Sequence, residues 1–379
     1  MEFPGLFDRI EDLSDLEIAI LLCLVAKEHC IIDTQRDVLD DLETELRLVA
    51  TNIFGLSHAV LNCSRETSLE DFSNSILSHD TERVDYDRLS SFGASAFSPD
   101  RYTGSISRSS RRFSEKSRDK ASLRRRSNYL DERKVVNIII AKNFDHAPEE
   151  VQLQALDLMR TRRIFSRTSV HTTPKTFLFI PLVASDPRGL SSLLNKHLND
   201  HMFVSYHHDP RDGFPNLEDD SGWLSDDQGS MSSVIRKPIL SFPKPNDQSV
   251  LINEDHINTL RQLSENVTLS ADVNSYLHNL IVFLRLNRAV AGGISATATS
   301  HFHQLVRCLA PLQQVDYVFP SLVAVAARKI YRHRIIVANP ENDRSLLYGS
   351  TLMAVEAILA GATAEGVIED VIAEVEAPL

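Results

Sequence analysis

Apolar positions recur along this chain at two spacings, and the first folded piece spans residues 1–79. It opens with apolar residues at intervals of three and four, namely Leu13, Leu16, Ile20 and Leu24. This spacing predicts a helix. Ser14 stands three residues before Glu17, which is the spacing of a helix-starting capping box.

The rest of this piece alternates between strand and helix patterns. The short apolar run at 30–32 predicts a buried strand, and residues 59–62 predict another. Between them, one helical face is marked by Leu39, Leu42, Leu46 and Val49. We expect that helix to end near Gly55, because glycine commonly follows a helix.

The second piece, residues 134–206, repeats the alternation. Residues 135–140 are nearly all β-branched, as in a strand buried on both faces. A helix is predicted at 148–162, followed by a strand at 177–183, a helix at 190–198 and a strand at 203–206. Strands alternating with helices predict a parallel α/β sheet.

The third piece, residues 250–379, shows helical periodicity almost throughout. The periodic stretches cover 267–289, 296–312, 320–333 and 350–375. The predicted fold class is therefore α/β followed by an all-α domain.

Two polar inserts separate these pieces. Residues 80–133 are rich in serine and arginine, and residues 98–134 contain 12 Lys/Arg against 5 Asp/Glu. Because apolar residues are few, we expect this insert to be disordered. Ser114 and Ser127 each follow consecutive arginines, which basophilic kinases prefer, so both are candidate phosphorylation sites. Residues 207–249 are acidic and proline-containing, and predict a loop.

Composition excludes several classes of protein. The net charge of −12 argues against nucleic acid as the general partner. No apolar run reaches the roughly 18–20 residues of a membrane span. The four cysteines, Cys23, Cys30, Cys63 and Cys308, show no CxxC spacing, so neither a zinc site nor a disulfide framework is predicted. We expect a reducing compartment, cytosolic or nuclear.

The order of segments resembles an AAA+ ATPase module with its lid, of the MoxR and magnesium-chelatase I-subunit type. The stretch from Ile138 to Gln152 is similar to that group's Walker B strand and the Asn-Arg-Ala-Pro sequence that follows it. Residues 177–180 with Ser185-Asp186-Pro187 resemble its sensor 1 strand. In the lid, residues 316–320 and 333–335 resemble its Asp-Tyr-Val-Thr-Pro and His-Arg elements.

The resemblance places altered residues at the phosphate-binding loop. A P-loop needs glycines whose backbone wraps the phosphates, a lysine, and a Ser/Thr for Mg²⁺. Here Thr34 and Leu39 fall at the two glycine positions, Asp40 at the lysine and Asp41 at the Ser/Thr. Each carboxylate close to a triphosphate costs on the order of 1–4 kcal/mol in repulsion.

The remaining nucleotide positions are altered as well. Lys142 and Asn143 replace the Walker B Asp-Glu, and Asn143 cannot act as a general base. Asp186 falls at the sensor 1 ending, His201 at the arginine finger and Thr297 at the sensor 2 arginine. The sequence thus predicts a degenerate nucleotide pocket with no catalytic residue, no metal site and no cofactor.

The leading hypothesis is a pseudo-ATPase that acts as a scaffold or regulatory subunit, whose partners are AAA+ subunits or further copies of this chain. One alternative is an active magnesium-chelatase-like enzyme that uses ATP and Mg²⁺. A second alternative is a nucleic-acid-binding adaptor that uses the basic insert, from Arg108 to Arg126.

Overall fold

The computed structural model describes most of the three predicted folded pieces. The described residues are 5–77, 133–165, 169–186, 189–222 and 250–378. The basic insert predicted at 80–133, with Ser114 and Ser127, lies outside them except for its last residue. Residues 223–249 of the acidic segment also lie outside.

Five strands form one parallel sheet at the centre of the first two pieces. They are β1 (Cys30–Thr34), β2 (His58–Asn62), β3 (Ile138–Lys142), β6 (Leu178–Ala184) and β7 (Val204–His207). Their order across the sheet is β2-β3-β6-β1-β7, and every neighbouring pair is parallel. The central strands are buried along their whole length because helices cover both faces.

Seven helices accompany these strands in the described chain. They are α1 (Leu6–Glu11), α2 (Asp15–Ala26), α3 (Leu39–Leu48), α4 (Leu69–Ser75), α5 (Glu149–Thr161), α6 (Lys196–His201) and α7 (Pro215–Gly222). The predicted capping box is present, since the Ser14 and Glu17 side chains each bond the other's backbone N–H. Apolar residues on most sides of α2 are buried, because the helix lies between the sheet and the C-terminal domain.

Two local predictions in this region are wrong. Residues 190–198 are not one helix: a 3₁₀ turn covers Leu190–Ser192, and α6 begins only after Asn195, whose side chain accepts from the His197 N–H. Between α5 and β6 lies an unpredicted hairpin of β4 (Arg163–Phe165) and β5 (Val170–Thr172). Strands of three residues are too short to show an alternating pattern.

The acidic segment predicted as a loop at 207–249 contains structure in its described part. It begins with the last residue of β7 and includes α7. The reason is the buried carboxylate of Glu45 on α3, which accepts from the N–H groups of Asn216 and Leu217 at 3.1 and 2.9 Å. A buried acid needs such donors, and the start of α7 supplies them.

The C-terminal domain is mainly helical, as predicted. Its helices are α8 (Glu254–Glu265), α9 (Ala271–Leu286), α10 (Ala296–Leu312), α11 (Pro320–Tyr331), α12 (Leu352–Leu359) and α13 (Ala364–Glu374). It is not all-α, because β8 (Val290–Gly292) and β9 (Ile336–Val337) form a small antiparallel pair. Within the described residues, no helix is long and apolar enough to cross a bilayer.

Arg334 joins the helical domain to the sheet domain. Its buried guanidinium donates to the carbonyl oxygens of Met202 and Phe203, at the start of β7, and to His301 Nδ1. Gly293 passes directly over the Arg334 backbone with a φ of +99°, and a Cβ there would lie 1.9 Å from the Arg334 carbonyl oxygen. Only glycine allows this approach.

We expect Gly293→Ala to destabilise the protein far more than Gly349→Ala. Both glycines have a φ above +90°, but a Cβ at Gly349 meets nothing within 4 Å. Both variants therefore lose stability through backbone strain. Gly293→Ala should lower the free energy of unfolding by a further ~1–3 kcal/mol, because its Cβ overpacks against the Arg334 backbone. Urea unfolding of the two variants measures this difference, and equal midpoints would contradict the close packing described here.

Candidate functional site at the carboxyl edge of the sheet

The parallel strands all end at one edge of the sheet, and most of the predicted site residues lie there. Thr34 ends β1, Lys142 ends β3, and Asp186 follows β6 by two residues. Leu39, Asp40 and Asp41 begin α3, which starts five residues after β1 ends. In α/β sheets this edge is the usual place for a ligand site.

The turn between β1 and α3 has none of the features of a phosphate cradle. Residues 35–38 form a cap and a 3₁₀ turn, and no residue from 34 to 41 has a positive φ. Thr34 is fully buried and its hydroxyl donates to the His208 carbonyl oxygen at 2.9 Å. Leu39 is buried in the core as well. Both predicted glycine positions therefore carry side chains that belong to the protein interior.

A charge cluster that we call the inverted cluster occupies this edge: Asp40, Glu43 and Lys142. The Lys142 ammonium donates to the Asp40 carboxylate and to Glu43 Oε2, the latter at 2.9 Å. Lys142 is only 8% exposed. Burial lowers its pKa, but the hydrogen bonds and charges of both acids outweigh burial and raise the pKa above its usual value. The lysine is therefore charged and satisfied within the protein.

Mg²⁺ and a triphosphate do not fit these residues. Mg²⁺ needs oxygen ligands near the phosphates, but the resemblance puts the Lys142 ammonium where an acid should stand. A triphosphate needs a cation at the start of α3, where Asp40 lies instead. The cation present is already held between two carboxylates.

Asn143, the residue after β3, bonds the last residue of β2. It has a φ of +54°, which asparagine tolerates, and its side chain donates to Asn62 Oδ1 at 3.1 Å. Asp41 is exposed on α3. Asp186 lines a neighbouring cavity of about 430 Å³ between the end of β1 and the helical domain.

The same cavity is bounded by a buried ion pair between Asp33 and Arg332. The two Arg332 amino groups bind the two Asp33 oxygens at 2.5 and 3.0 Å, and Arg332 also contacts Glu365. His207 and Ser185 add bonds to Asp33 at 2.7 and 2.9 Å. Burial raises the pKa of Asp33, but Arg332 and His207 outweigh burial and lower it. This pair ties the helical domain to β1.

Two predicted site residues lie at the opposite, amino edge. His201 ends α6 and packs against His29, which immediately precedes β1, with ring centroids 6.3 Å apart. Thr297 is in the first turn of α10, whose capping Ser295 bonds Asp200 at 2.5 Å. The sheet itself separates these residues from the inverted cluster, so one copy cannot bring all nine predicted positions together.

Three buried or partly buried titratable groups lie at the amino edge of the sheet. His29 is fully buried, accepts from the Phe179 N–H, and has a pKa well below its usual value because of burial. His301, beside Arg334, has a pKa lowered to about 3, chiefly by burial. Burial raises the pKa of Glu28 to about 7, although Arg162 and Arg334 act in the opposite direction.

Comparison with known proteins agrees with this architecture. A family model described as AAA lid domain matches residues 283–350. A presumptive ATPase from Cytophaga hutchinsonii has a similar solved structure, with a TM-score of 0.61 and 13% identity over 99% of this chain and 94% of that one. The fold is AAA+-like. The predicted fold class, a parallel sheet with flanking helices followed by a helical lid, is confirmed.

Two further comparisons add little to the assignment of the AAA+-like fold. A full-length MCM homolog from Methanopyrus kandleri has a TM-score of 0.44 and 10% identity, over 86% of this chain and 57% of that one. That similarity is too low to support an argument. No curated protein matches the chain.

Sequence reasoning missed Glu43, Arg332 and His207. Glu43 could have been found, because it lies three residues after Asp40 and therefore on the same side of α3. Arg332 had no local signal, because its partner Asp33 is 299 residues away. His207 also had no local signal, because its partner Asp33 is 174 residues away. Within the described residues, no three His, Cys, Asp or Glu side chains form a group that could hold a metal.

We expect Arg332→Ala to lower the free energy of unfolding by about 3–5 kcal/mol, because it leaves Asp33 buried without its cation. Arg328→Ala is the matched control, since it removes an exposed pair with Glu369 and should cost under about 1 kcal/mol. Urea unfolding of both variants checks the difference. Similar midpoints for the two would contradict a structural role for the Asp33 pair.

We expect Glu28→Gln to remove a pH dependence of stability. The pKa of Glu28 is raised from 4.5 to about 7, so the folded state favours the neutral carboxyl. Its contribution is full below pH 4.5 and is lost as pH rises to about 7. The stability advantage of the variant should therefore grow from pH 4.5 to 7 and then level off. A constant difference across that range would contradict the shift.

Proposed function

We propose that this chain is a pseudo-ATPase of the AAA+ group, of the MoxR and magnesium-chelatase type, that acts as a scaffold or regulatory subunit. The observation that carries the proposal is the inverted cluster. At the positions that the resemblance assigns to the P-loop lysine and the Walker B acid, the charges of Asp40 and Lys142 are exchanged. The exchanged pair is satisfied internally, so the edge is stable without a ligand.

The Asp33–Arg332 pair supports a role that does not depend on nucleotide. It links β1 to the lid through protein groups alone, and Glu365 extends the link to α13. A lid held by a buried ion pair keeps a constant position relative to the sheet domain. A constant surface shared by two domains is what a scaffold subunit presents to its partners.

The predicted location and regulation belong to the same proposal. We propose a cytosolic or nuclear protein whose basic insert is phosphorylated at Ser114 and Ser127. Each phosphate would offset up to about two of the positive charges of that insert and so change its contacts with acidic partners.

Titration of the full chain with a fluorescent ATP analogue and Mg²⁺ tests the proposal. We expect no saturable signal up to millimolar nucleotide, because the start of α3 carries acids and the preceding turn has no glycine. An active AAA+ ATPase under the same conditions shows that the assay detects binding.

Saturable binding in the micromolar range, displaced by unlabelled ATP, would overturn the proposal and favour the chelatase-like enzyme. Lys142→Ala then locates the nucleotide, since an unchanged affinity places it away from the inverted cluster. Salt-sensitive binding to nucleic acid that is lost on deletion of 98–134 would instead favour the adaptor.

A further inference from the structure

A cavity of about 540 Å³ lies where the sheet domain meets the helical domain, at the amino edge of the sheet. One wall is the end of α2 with Lys27, which precedes β1 by three residues. The other walls are α8 and α10 of the helical domain. This volume is in the range of small-molecule sites in proteins. We call it the amino-edge cavity, and its polar lining includes Lys27, Arg261, Glu265, Ser300, His303 and Arg307.

The walls of the amino-edge cavity are held in place by hydrogen bonds between the two domains. The Arg261 guanidinium on α8 donates to the carbonyl oxygens of Leu24 and Val25, at 2.9 and 3.0 Å. The Gln304 amide on α10 donates to the Ala26 carbonyl oxygen at 2.9 Å. These bonds satisfy the last carbonyl groups of α2, which have no partner within the helix. The cavity is therefore formed before any ligand enters it.

The lining of the amino-edge cavity is basic, although the chain as a whole is acidic. Among the described residues that line it, three are cations, Lys27, Arg261 and Arg307, and one is an acid, Glu265. Burial lowers the pKa of Arg261, and Glu265 acts on it in the opposite direction. The pKa of His303 is lowered, chiefly by burial, so this side chain adds no charge at neutral pH. Two positive charges therefore remain.

These two charges have no partner in the part of the chain that the structure describes. The Lys27 ammonium and the Arg307 guanidinium form neither an ion pair nor a hydrogen bond there. Arg261 uses three of its five N–H groups, since Asn258 Oδ1 accepts a third bond at 2.6 Å. Charged N–H groups without acceptors bind the oxygens of carboxylates and phosphates. The cavity thus favours an anion with about two charges.

Part of the same lining is apolar, which restricts the anion further. Val25, Ala26 and Cys308 line the cavity and are buried. A ligand that fills the cavity therefore has a short carbon frame in addition to its charged groups. Phosphate monoesters and dicarboxylates both combine such a frame with about two negative charges at neutral pH. A nucleoside triphosphate has more negative charge than two cations offset.

We propose that the amino-edge cavity binds a small organic dianion, a phosphate monoester or a dicarboxylate, through Lys27, Arg261 and Arg307. Because Lys27 follows α2 of the sheet domain and Arg307 is on α10 of the helical domain, the ligand contacts both domains. The inverted cluster lies at the opposite edge of the sheet and contributes no residue to this site. The proposal does not rest on the proposed function.

Isothermal titration calorimetry of the full chain with glycerol 3-phosphate and with succinate tests the proposal. We expect saturable binding of at least one of them, with one site per chain, and no binding of uncharged glycerol. Arg307→Gln and Lys27→Gln should each raise Kd at least about tenfold, because each removes one of the two unpaired cations. Arg65→Gln and Lys196→Gln are the matched controls, since both side chains are exposed and lie outside the cavity. They should bind as the wild type does.

A steric variant separates entry into the cavity from general attraction between opposite charges. Ser300 lines the cavity and is exposed on α10, and Ser300→Trp fills space there while it leaves every charge in place. It should weaken binding as strongly as the loss of Arg307 does. Circular dichroism confirms that the variants are folded.

The two probes also identify the anionic group. Binding of either probe supports the proposal, and the tighter one shows whether the site prefers a phosphate or two carboxylates. No saturable binding of either probe in the millimolar range would overturn the proposal. An affinity that is unchanged by Arg307→Gln, Lys27→Gln and Ser300→Trp would overturn it as well, because the ligand would then lie outside the amino-edge cavity.

Discussion

The buried carboxylate of Asp33 is the constraint on which the rest of the arrangement depends. It lies in β1, an inner strand of the sheet, one residue before that strand ends. The side chain is buried, and a buried charge is costly unless it is paired and hydrogen-bonded. Three segments meet the requirement: β7 through His207, the residue after β6 through Ser185, and the residue after α11 through Arg332. Arg332 in turn holds α13 through Glu365. One acid thus anchors the lid at the carboxyl edge of the sheet, as Arg334 does at the amino edge.

The same edge of the sheet also holds a second buried charge that is paired internally. Lys142 is buried and charged, and only the acids at the start of α3 make that state stable. The charge of Lys142 is therefore balanced by acids of the protein itself. At the amino edge, the buried Arg334 guanidinium likewise bonds only protein groups that the structure describes. It donates hydrogen bonds to the backbone carbonyl oxygens of Met202 and Phe203, just before β7. At both ends of the sheet, buried charged side chains are thus paired or hydrogen-bonded by protein groups.

Prediction from sequence succeeded where a segment is long and its apolar residues recur at a regular helical spacing. The helix predicted at 296–312 has the bounds of α10, and the capping box at Ser14 is present. It failed where distant groups decide the local structure. The segment that forms α7 was predicted as a loop. Its start is stabilised by Glu45, some 170 residues away, and a local pattern cannot show that contact. The lid was predicted all-α, and the short β8–β9 pair depends on contact between segments far apart in sequence.

For the candidate site, the sequence alone determined which side chains stand at the start of α3 and at the end of β3, and it predicts that their charges do not suit a nucleotide. This follows from the identities of the residues and from the resemblance between the order of segments in this chain and that of an AAA+ module. Only the tertiary structure decided that Lys142 is satisfied by Asp40 and Glu43, and that His201 and Thr297 belong to the opposite edge. The physical reason is that ion pairs and their burial depend on distances between segments, which local composition does not encode.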